Sequence, residues 1–413
     1  MKEYSEVANK IRVVCTAAAL VPLALLAACG SSGTATTATS PSSAASASPS
    51  TGVSLTETGS TLMFPLFGAW QTAYNTDVTD VTITTAGTGS GTGIADAATG
   101  IVTIGASDAY LSSANMSQYP GLMNIPLTVA ALMVNYNLPG VKKPVNLNGT
   151  VLAKIYSGKI KTWSDPAIKA LNPGVTLPSL KITALHRADS SGSTFLITSY
   201  LNAQDPADWP TADVNTTVSW PSGAKQAAET GSGGMVTGCQ GIKGCIAYIG
   251  ISYLAKTTAA KLGTASLANK AGKFTQPTSK TINTALAGFS GSTPPNGSQS
   301  LINTSVPKGY PVINYEYAVV KKTQSSAAVA AALKAFLKWT INTGSSSTFL
   351  APVGFEPLPS NVKTIAENQI ASISPKLRDP ADANADSDLG KRWVRQVGVL
   401  ATCRCPARRP AVR

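Results

Sequence analysis

Residues 81–108 read VTITTAGTGSGTGIADAATGIVTIGASD, and their pattern decides the fold class. Val81 and Ile83 alternate with polar residues, as in a strand with one buried face, and the glycine-rich run that follows opens a helix near Ile94. A second short apolar strand then ends at Ser107-Asp108. Strand, polar loop, helix and strand in this order predict an α/β fold with ligand-binding groups at the carboxyl ends of strands.

The rest of the chain repeats these elements. Strands are predicted over Val78 to Thr85, Ile101 to Ala106, Leu127 to Tyr136 and Val312 to Val320. Helices are predicted from a loop at Gly59 through about Tyr74, over Asn148 to Ser157, from the capped start Ser164-Asp165-Pro166, and over Ala327 to Thr340. We expect the two long strands to cross between two lobes, and the helix 327–340 to close the first lobe. Trp163 and Trp220 are expected to pack in the core rather than to stack on a ligand.

Two polar, glycine-flanked segments predict oxyanion binding. They are TGSGTG at residues 88–93 and HRADSSGST at residues 186–194. Small hydroxyl residues beside glycines, each leading into a helix, allow backbone N–H groups and hydroxyls to converge on one anion. Arg187 adds a planar fork of donors that suits phosphate or carboxylate. The pattern therefore favours anion binding over catalysis.

The charge distribution argues against nucleic acid as a partner. The net charge is +13, but charged residues make up only 13% of the chain, against about 25% in ordinary soluble domains. Residues 376–413 hold nine Lys or Arg and four Asp, a net +5, and the remaining excess is scattered. No segment interleaves basic and aromatic residues, as single-strand binders do, so no nucleic acid is expected.

The N-terminus predicts export. Residues 1–28 carry Lys10 and Arg12 ahead of an apolar run, as in a signal peptide. The run ends Leu-Ala-Ala-Cys-Gly at residues 26–30, which resembles the lipobox of bacterial lipoproteins, so Cys29 is predicted to carry a lipid anchor. The alternative is an ordinary signal sequence in which Cys29 is one small residue. Residues 29–54 are almost wholly Ser, Thr, Ala, Gly and Pro, the composition of a flexible tether.

Two cysteines, Cys239 and Cys245, lie in the body of the chain, since the other four fall in the signal region and the tail. In an exported protein a local disulfide between them is favoured over two free thiols, because the intervening glycines permit a compact loop. No second Cys or His cluster completes a metal site, so no metal is expected.

Eight ordered stretches resemble the PstS family, the phosphate-binding proteins of the phosphate-specific ABC transporter, and most closely its lipid-anchored Gram-positive branch. The resemblance extends from about Leu55 to Ser374. Its stretches are 57–62 ETGSTL, 87–91 GTGSG, 104–109 IGASDA, 135–140 NYNLPG, 161–166 KTWSDP, 186–189 HRAD, 234–239 GMVTGC and 310–317 YPVINYEY. The resemblance implies a non-enzymatic, cofactor-free monomer with a two-lobed type II periplasmic-binding-protein fold. It would bind inorganic phosphate in the cleft between the lobes and deliver it to permease subunits that work with a cytoplasmic ATPase.

The same resemblance divides the chain and assigns site residues. Residues 55–135 and 314–375 would form lobe I, residues 136–313 lobe II, and residues 376–413 a disordered extension without a family counterpart. The implied phosphate-binding residues are Ser60, Thr61, Leu62, Ser90, Asp108, Arg187, Ser191, Gly192 and Ser193. Asp108 would confer selectivity and Arg187 the one full positive charge. Asp189 is interpreted as a helix cap that turns the loop beside Arg187. The family often has glycine at the position of Ser190 and threonine or aspartate at that of Ser193.

Three alternatives stay open on the sequence. The ligand could be another oxyanion, such as sulfate or molybdate. An exported phosphatase or esterase with a serine nucleophile has little support, because His186 is the single histidine and no Gly-x-Ser-x-Gly elbow occurs. A surface adhesin would leave the two glycine-flanked segments and Asp108 unexplained.

Overall fold

The computed structural model of the chain describes residues 52–376. The predicted signal peptide, Cys29, nearly all of the tether and the tail beyond residue 376 lie outside this range. Within it the strands are β1 (Val53–Gly59), β2 (Val81–Thr84), β3 (Ile104–Ser107), β4 (Leu122–Tyr136), β5 (Asn146–Leu147), β6 (Thr183–Arg187), β7 (Gln226–Glu229), β8 (Cys245–Gly250), β9 (Gly263–Thr264), β10 (Ser266–Ala268), β11 (Phe274–Thr275), β12 (Ile313–Lys321), β13 (Thr323–Gln324) and β14 (Ser374–Pro375).

The helices surround these strands. They are α1 (Phe64–Asp77), α2 (Ser90–Thr99), α3 (Ser113–Gln118), α4 (Gly149–Tyr156), α5 (Pro166–Leu171), α6 (Gly192–Gln204), α7 (Gly231–Gly241), α8 (Leu254–Ala259), α9 (Ser279–Ala287), α10 (Ala327–Thr340), α11 (Ser347–Leu350) and α12 (Ser360–Ala371). No helix among residues 52–376 has the length and apolar character that a membrane crossing needs.

The central sheet has the strand order β2-β1-β3-β12-β4-β8-β6-β7. β1 runs parallel to β2 and β3, and β6 runs parallel to β7 and β8. β4 joins these two parallel sets, because its residues 122–131 pair with β12 while residues 132–136 pair with β8. The predicted α/β class is confirmed.

Most of the predicted elements are confirmed. Val81 and Ile83 are buried on one face of β2, and the helix predicted near Ile94 is α2. α10 has the predicted bounds, and Asp165 caps α5 ahead of its proline. Trp163 is fully buried and Trp220 stacks on His186 with ring centroids 5.1 Å apart, so both pack as expected.

Several predicted bounds are wrong. The strands expected from Val78 and Leu127 begin at Val81 and Leu122. β1 begins at Val53, inside the predicted tether, and precedes the loop at Gly59. The strand expected from Ile101 begins at Ile104, since Ile101 lies outside it with 70% of its surface exposed. α10, which was expected to close the first lobe, is not the last element of its layer, because α12 follows and packs against both α10 and β4.

The predicted disulfide is confirmed. Cys239 near the end of α7 is bonded to Cys245 at the start of β8, with Cα atoms 5.3 Å apart. The side-chain amide of Asn137 donates to the carbonyls of Cys239 and Gln240 at 3.0 and 2.9 Å. The turn from α7 to β8 is therefore held by a covalent bond and by an amide from the end of β4.

Glu57 on β1 is a buried carboxyl that gives the stability a predictable pH dependence. It accepts a hydrogen bond from the Thr85 hydroxyl, and burial raises its pKa from 4.5 to about 8. The folded protein therefore holds a proton that the unfolded chain releases. The resulting stabilisation is complete below about pH 4.5, declines as the pH rises and is lost above about pH 8.

We expect Glu57→Gln to remove this dependence, because an amide of the same shape does not ionise. Between about pH 5 and about pH 9 the wild type should lose at least about 1 kcal/mol more unfolding free energy than the variant, since one pKa unit corresponds to about 1.4 kcal/mol. Urea denaturation at both pH values measures this. Parallel pH profiles for the two proteins would contradict it.

Candidate anion-binding site

Four helix N-termini follow the carboxyl ends of strands in the central sheet. They belong to α1 after β1, α2 after β2, α6 after β6 and α7 after β7. Gly59 permits the first of these turns: its φ is +141°, and a Cβ there would lie 2.1 Å from the Ala106 carbonyl oxygen. Each N-terminus presents backbone N–H groups and a partial positive charge, so the arrangement suits an anion.

Asp108 lies at the meeting point of three of these helices. Its two carboxylate oxygens accept hydrogen bonds from the hydroxyls of Ser60 and, at 2.8 Å, Ser193. Its backbone N–H donates to the hydroxyl of Ser90 at 3.2 Å. The side chain is buried, and this burial raises the pKa of Asp108 above its ordinary value; the hydrogen bonds from the serines and the charge of Arg187 offset only part of that rise.

Arg187 ends β6 and is buried. Its Nε donates to Asp189 Oδ1 at 2.7 Å, and its Nη2 donates to Oδ2. Asp189 also accepts the N–H of Gly231, the first residue of α7, at 3.0 Å. Burial raises the pKa of Asp189, but the hydrogen bonds and charge of Arg187 outweigh it and hold that pKa below its ordinary value.

The interpretation of Asp189 as a helix cap holds only in part, since Asp189 accepts the first N–H of α7 and not an N–H of α6, the helix that follows it in the chain. Ser191 caps α6, because its side chain accepts from the N–H of Thr194. A bidentate bond to Arg187 places the Asp189 carboxylate away from that helix end. The positive charge of Arg187 is thus offset by a carboxylate two residues later, rather than standing alone.

Of the remaining predicted residues, Thr61 and Gly192 lie where two helices meet, whereas the side chain of Leu62 packs in the core. Thr61 contacts α7, since its hydroxyl lies 2.9 Å from Ser232 Oγ and accepts the Ser232 N–H at 3.1 Å. A Cβ on Gly192 would lie 2.5 Å from Ser90 Oγ, so glycine is what allows α6 to approach α2. Leu62 differs, because its side chain is buried against Gly250 and leaves only its backbone to face an anion.

The loop that contains Ser190 contacts the start of α2. The Ser190 carbonyl accepts the Gly91 N–H at 3.0 Å, and its hydroxyl donates to Thr216 at 3.0 Å. Serine at this position is therefore accommodated without opening the loop. The structure thus gathers Ser60, Ser90, Asp108, Arg187 and Ser193, which come from two distant parts of the sequence.

Two residues of this site were not predicted. Ser232 lies in the run TGSGG at residues 230–234, which repeats the pattern of glycine-flanked hydroxyls and could have revealed it. Glu316 lies fully buried on β12. The Asn314 amide bridges it to the site, donating to Glu316 Oε1 at 2.8 Å and to the Asp108 carbonyl at 3.3 Å. Burial and the neighbouring charge of Asp108 raise the pKa of Glu316 well above its ordinary value.

The chemistry of these residues is that of an anion receptor. The donors are hydroxyls, backbone N–H groups and one guanidinium, while His186 is occupied by its stack on Trp220. Among residues 52–376, no group of three His, Cys, Asp or Glu side chains could hold a metal ion.

Comparisons with known proteins agree with this geometry. The PBP superfamily domain model matches residues 35–343. The phosphate-binding protein PstS of Xylella fastidiosa is 30% identical over 312 residues, which cover 75% of this chain and 83% of that protein. The chain belongs to the PstS family.

Further PstS proteins extend the match. That of Methanocaldococcus jannaschii is 30% identical over 344 residues, covering 79% of this chain and 87% of that protein. Among solved structures, the phosphate-bound protein PfluDING has a TM-score of 0.61 at 22% identity, covering 76% of this chain and 93% of that one. A phosphate-binding protein from Stenotrophomonas maltophilia has a TM-score of 0.58 at 20% identity and the same coverage. The predicted type II periplasmic-binding-protein fold is confirmed.

Proposed function

We propose that this PstS protein binds inorganic phosphate outside the cytoplasm and delivers it to the permease of an ABC transporter. The observation that carries the proposal is Asp108, a buried carboxylate that accepts from Ser60 and Ser193 and whose backbone N–H donates to Ser90, so that it contacts residues at three helix N-termini. A site rich in donors that also contains a fixed carboxylate selects an anion that carries a proton of its own. Binding, rather than catalysis, is the activity expected of the site.

The proton distinguishes the possible ligands. Phosphate retains at least one proton at neutral pH and can donate it to the Asp108 carboxylate, whereas sulfate has none to donate. Sulfate would meet an unpaired like charge in a buried site, which costs several kcal/mol. Asp189 matters as well, because it offsets the positive charge of Arg187. The bound anion is therefore not held too tightly to be released.

The two parts of the site are proposed to lie on two lobes that close on phosphate. Lobe I comprises residues 55–135 and 314–375, and lobe II comprises residues 136–313. The change of partner along β4, from β12 to β8, supports a boundary near this strand. Ser60, Ser90 and Asp108 would then face Arg187 and Ser193 across the cleft.

Export and anchoring complete the proposal. The signal peptide at residues 1–28 and the lipid on Cys29 would hold the protein at the outer face of the cell membrane. Residues 29–52, which precede β1, would tether the lobes there, within reach of the permease subunits that a cytoplasmic ATPase drives. The net charge of the whole chain, +13, is compatible with a position at the outer face of the cell membrane.

Calorimetric titration of the chain without residues 1–29 tests the function. After removal of carried-over anion, phosphate should bind tightly at pH 7, and sulfate should give no binding heat in separate runs. Binding of both anions would favour a general oxyanion receptor. Binding of neither anion would contradict the proposed function and favour the alternative of a surface adhesin.

A further inference from the structure

Glu316 is a second buried carboxyl beside Asp108, and the proposed function gives it no role. It is fully buried on β12, on the face from which Asn314 contacts the site. The two carboxyls lie close enough for each to alter the pKa of the other. Two adjacent carboxylates in a desolvated site cannot both remain charged, so the pair must share a proton.

The hydrogen bonds indicate which carboxyl carries that proton. Both oxygens of Asp108 accept from serine hydroxyls, and its neighbour Arg187 favours its ionised form. Glu316 Oε1 accepts from the Asn314 amide, as the carbonyl oxygen of a neutral acid does. Oε2 accepts no hydrogen bond from any residue of the range 52–376, which leaves it free to bear the hydrogen and to donate it to the neighbouring Asp108 carboxylate.

We propose, on the basis of the proposed function, that Glu316 is a positioning residue that carries the proton of this carboxyl pair and so keeps Asp108 ionised as the acceptor for the proton of phosphate. An ionised carboxylate has about four lone-pair positions. Ser60 and Ser193 use two of them. The protonated Oε2 of Glu316 uses a third, and the fourth accepts the ligand proton. If Asp108 itself held the proton, it would donate to any oxyanion, and sulfate would no longer be rejected.

The other titratable groups around the pair do not supply this proton. Arg187 acts on Asp108 and stays charged. Tyr317, on β12 itself, interacts with Glu316, but burial raises the pKa of its phenol well above the ordinary value, so it stays neutral throughout the test range.

Two variants of similar size separate this role from simple packing. Glu316→Gln retains a fixed N–H donor but cannot ionise, and Glu316→Leu removes the donor. Phosphate and sulfate affinities are measured by calorimetry between about pH 5 and pH 9, with thermal unfolding as the check on folding. We expect Gln to keep the phosphate preference of the wild type within about threefold. Leu should lower it by at least about tenfold at pH 5, where Asp108 takes up the proton, with recovery towards pH 9.

Infrared spectroscopy gives a second readout that does not depend on the ligand. Because Glu57 also carries a proton at pH 7, the proteins are compared in the Glu57→Gln background. In that background the spectrum at pH 7 should show a carbonyl stretch of a protonated carboxyl that is lost on Glu316→Gln and kept on Asp108→Asn. Loss of that band in Asp108→Asn instead, or an unchanged preference and pH profile in Glu316→Leu, would overturn the proposal. Failure of the wild type to bind phosphate would overturn the proposed function alone, because the infrared result would still locate the proton.

Discussion

Arg187→Ala should weaken phosphate binding by about 2–5 kcal/mol, the usual cost of truncating one partner of a buried charge pair. Arg187 is buried and bidentate to Asp189, so the change removes donors from the site and also leaves the Asp189 carboxylate without its partner. Titration calorimetry measures the loss directly. A change below about 1 kcal/mol, less than tenfold in Kd, would place Arg187 outside the binding site.

The paired variant Arg187→Met with Asp189→Asn distinguishes the two causes of this loss. It removes both charges together, so no unpaired carboxylate remains. If Arg187 contacts phosphate, the double variant should bind nearly as weakly as Arg187→Ala. If the ion pair merely shapes the loop, the double variant should recover most of the affinity, as double-mutant cycles separate such contributions.

The second large effect is expected for Asp108→Asn, which should reduce the preference for phosphate over sulfate by about a hundredfold or more, since an unpaired buried like charge costs several kcal/mol. Asparagine removes the charge that repels sulfate and supplies an N–H donor in its place. Phosphate affinity should fall by much less, because the serine hydroxyls and helix N-termini remain. Separate titrations with the two anions measure the ratio of their Kd values.

Glu57→Gln is the matched control for this variant. It also replaces a buried carboxyl by an amide, but Glu57 contacts Thr85 and not the serines around Asp108. Its phosphate-to-sulfate ratio should equal that of the wild type. Unchanged selectivity in Asp108→Asn, or an equal change in both variants, would show that Asp108 does not read the ligand proton.

The sequence predicts the parts of the site that are local. Ser90 and Ser193 stand in glycine-flanked runs directly after strands, and such runs place hydroxyls and N–H groups at a helix start whatever the rest of the chain does. β2 and α10 were predictable for a similar reason, because one buried face repeats within a few residues. β1 was not predicted, because Val53 directly follows a segment with the composition of a flexible tether. A charged residue, Glu57, also occupies one of the buried positions of this strand.

The parts that depend on the tertiary structure were not predictable. Glu316 reaches the site only because β12 pairs with β3 so that Tyr317 lies opposite Ser107, next to Asp108. Two strands so distant in the sequence give no local sign of this register. The pairing of Arg187 with Asp189 was missed for a different reason. An aspartate in a loop ahead of a helix is typical of a helix cap. Which group it contacts depends on the backbone conformation of the loop between β6 and α6.

β4 has a mechanical consequence. Its fifteen residues pass from one half of the sheet to the other, paired with β12 over the first part, with one register shift at residues 126–128, and with β8 over the second. If the two proposed lobes separate, β4 must twist along its length, because both of its segments are paired with other strands. That twist would cost elastic energy in the backbone, and the cost would limit how far the proposed lobes open between one bound anion and the next.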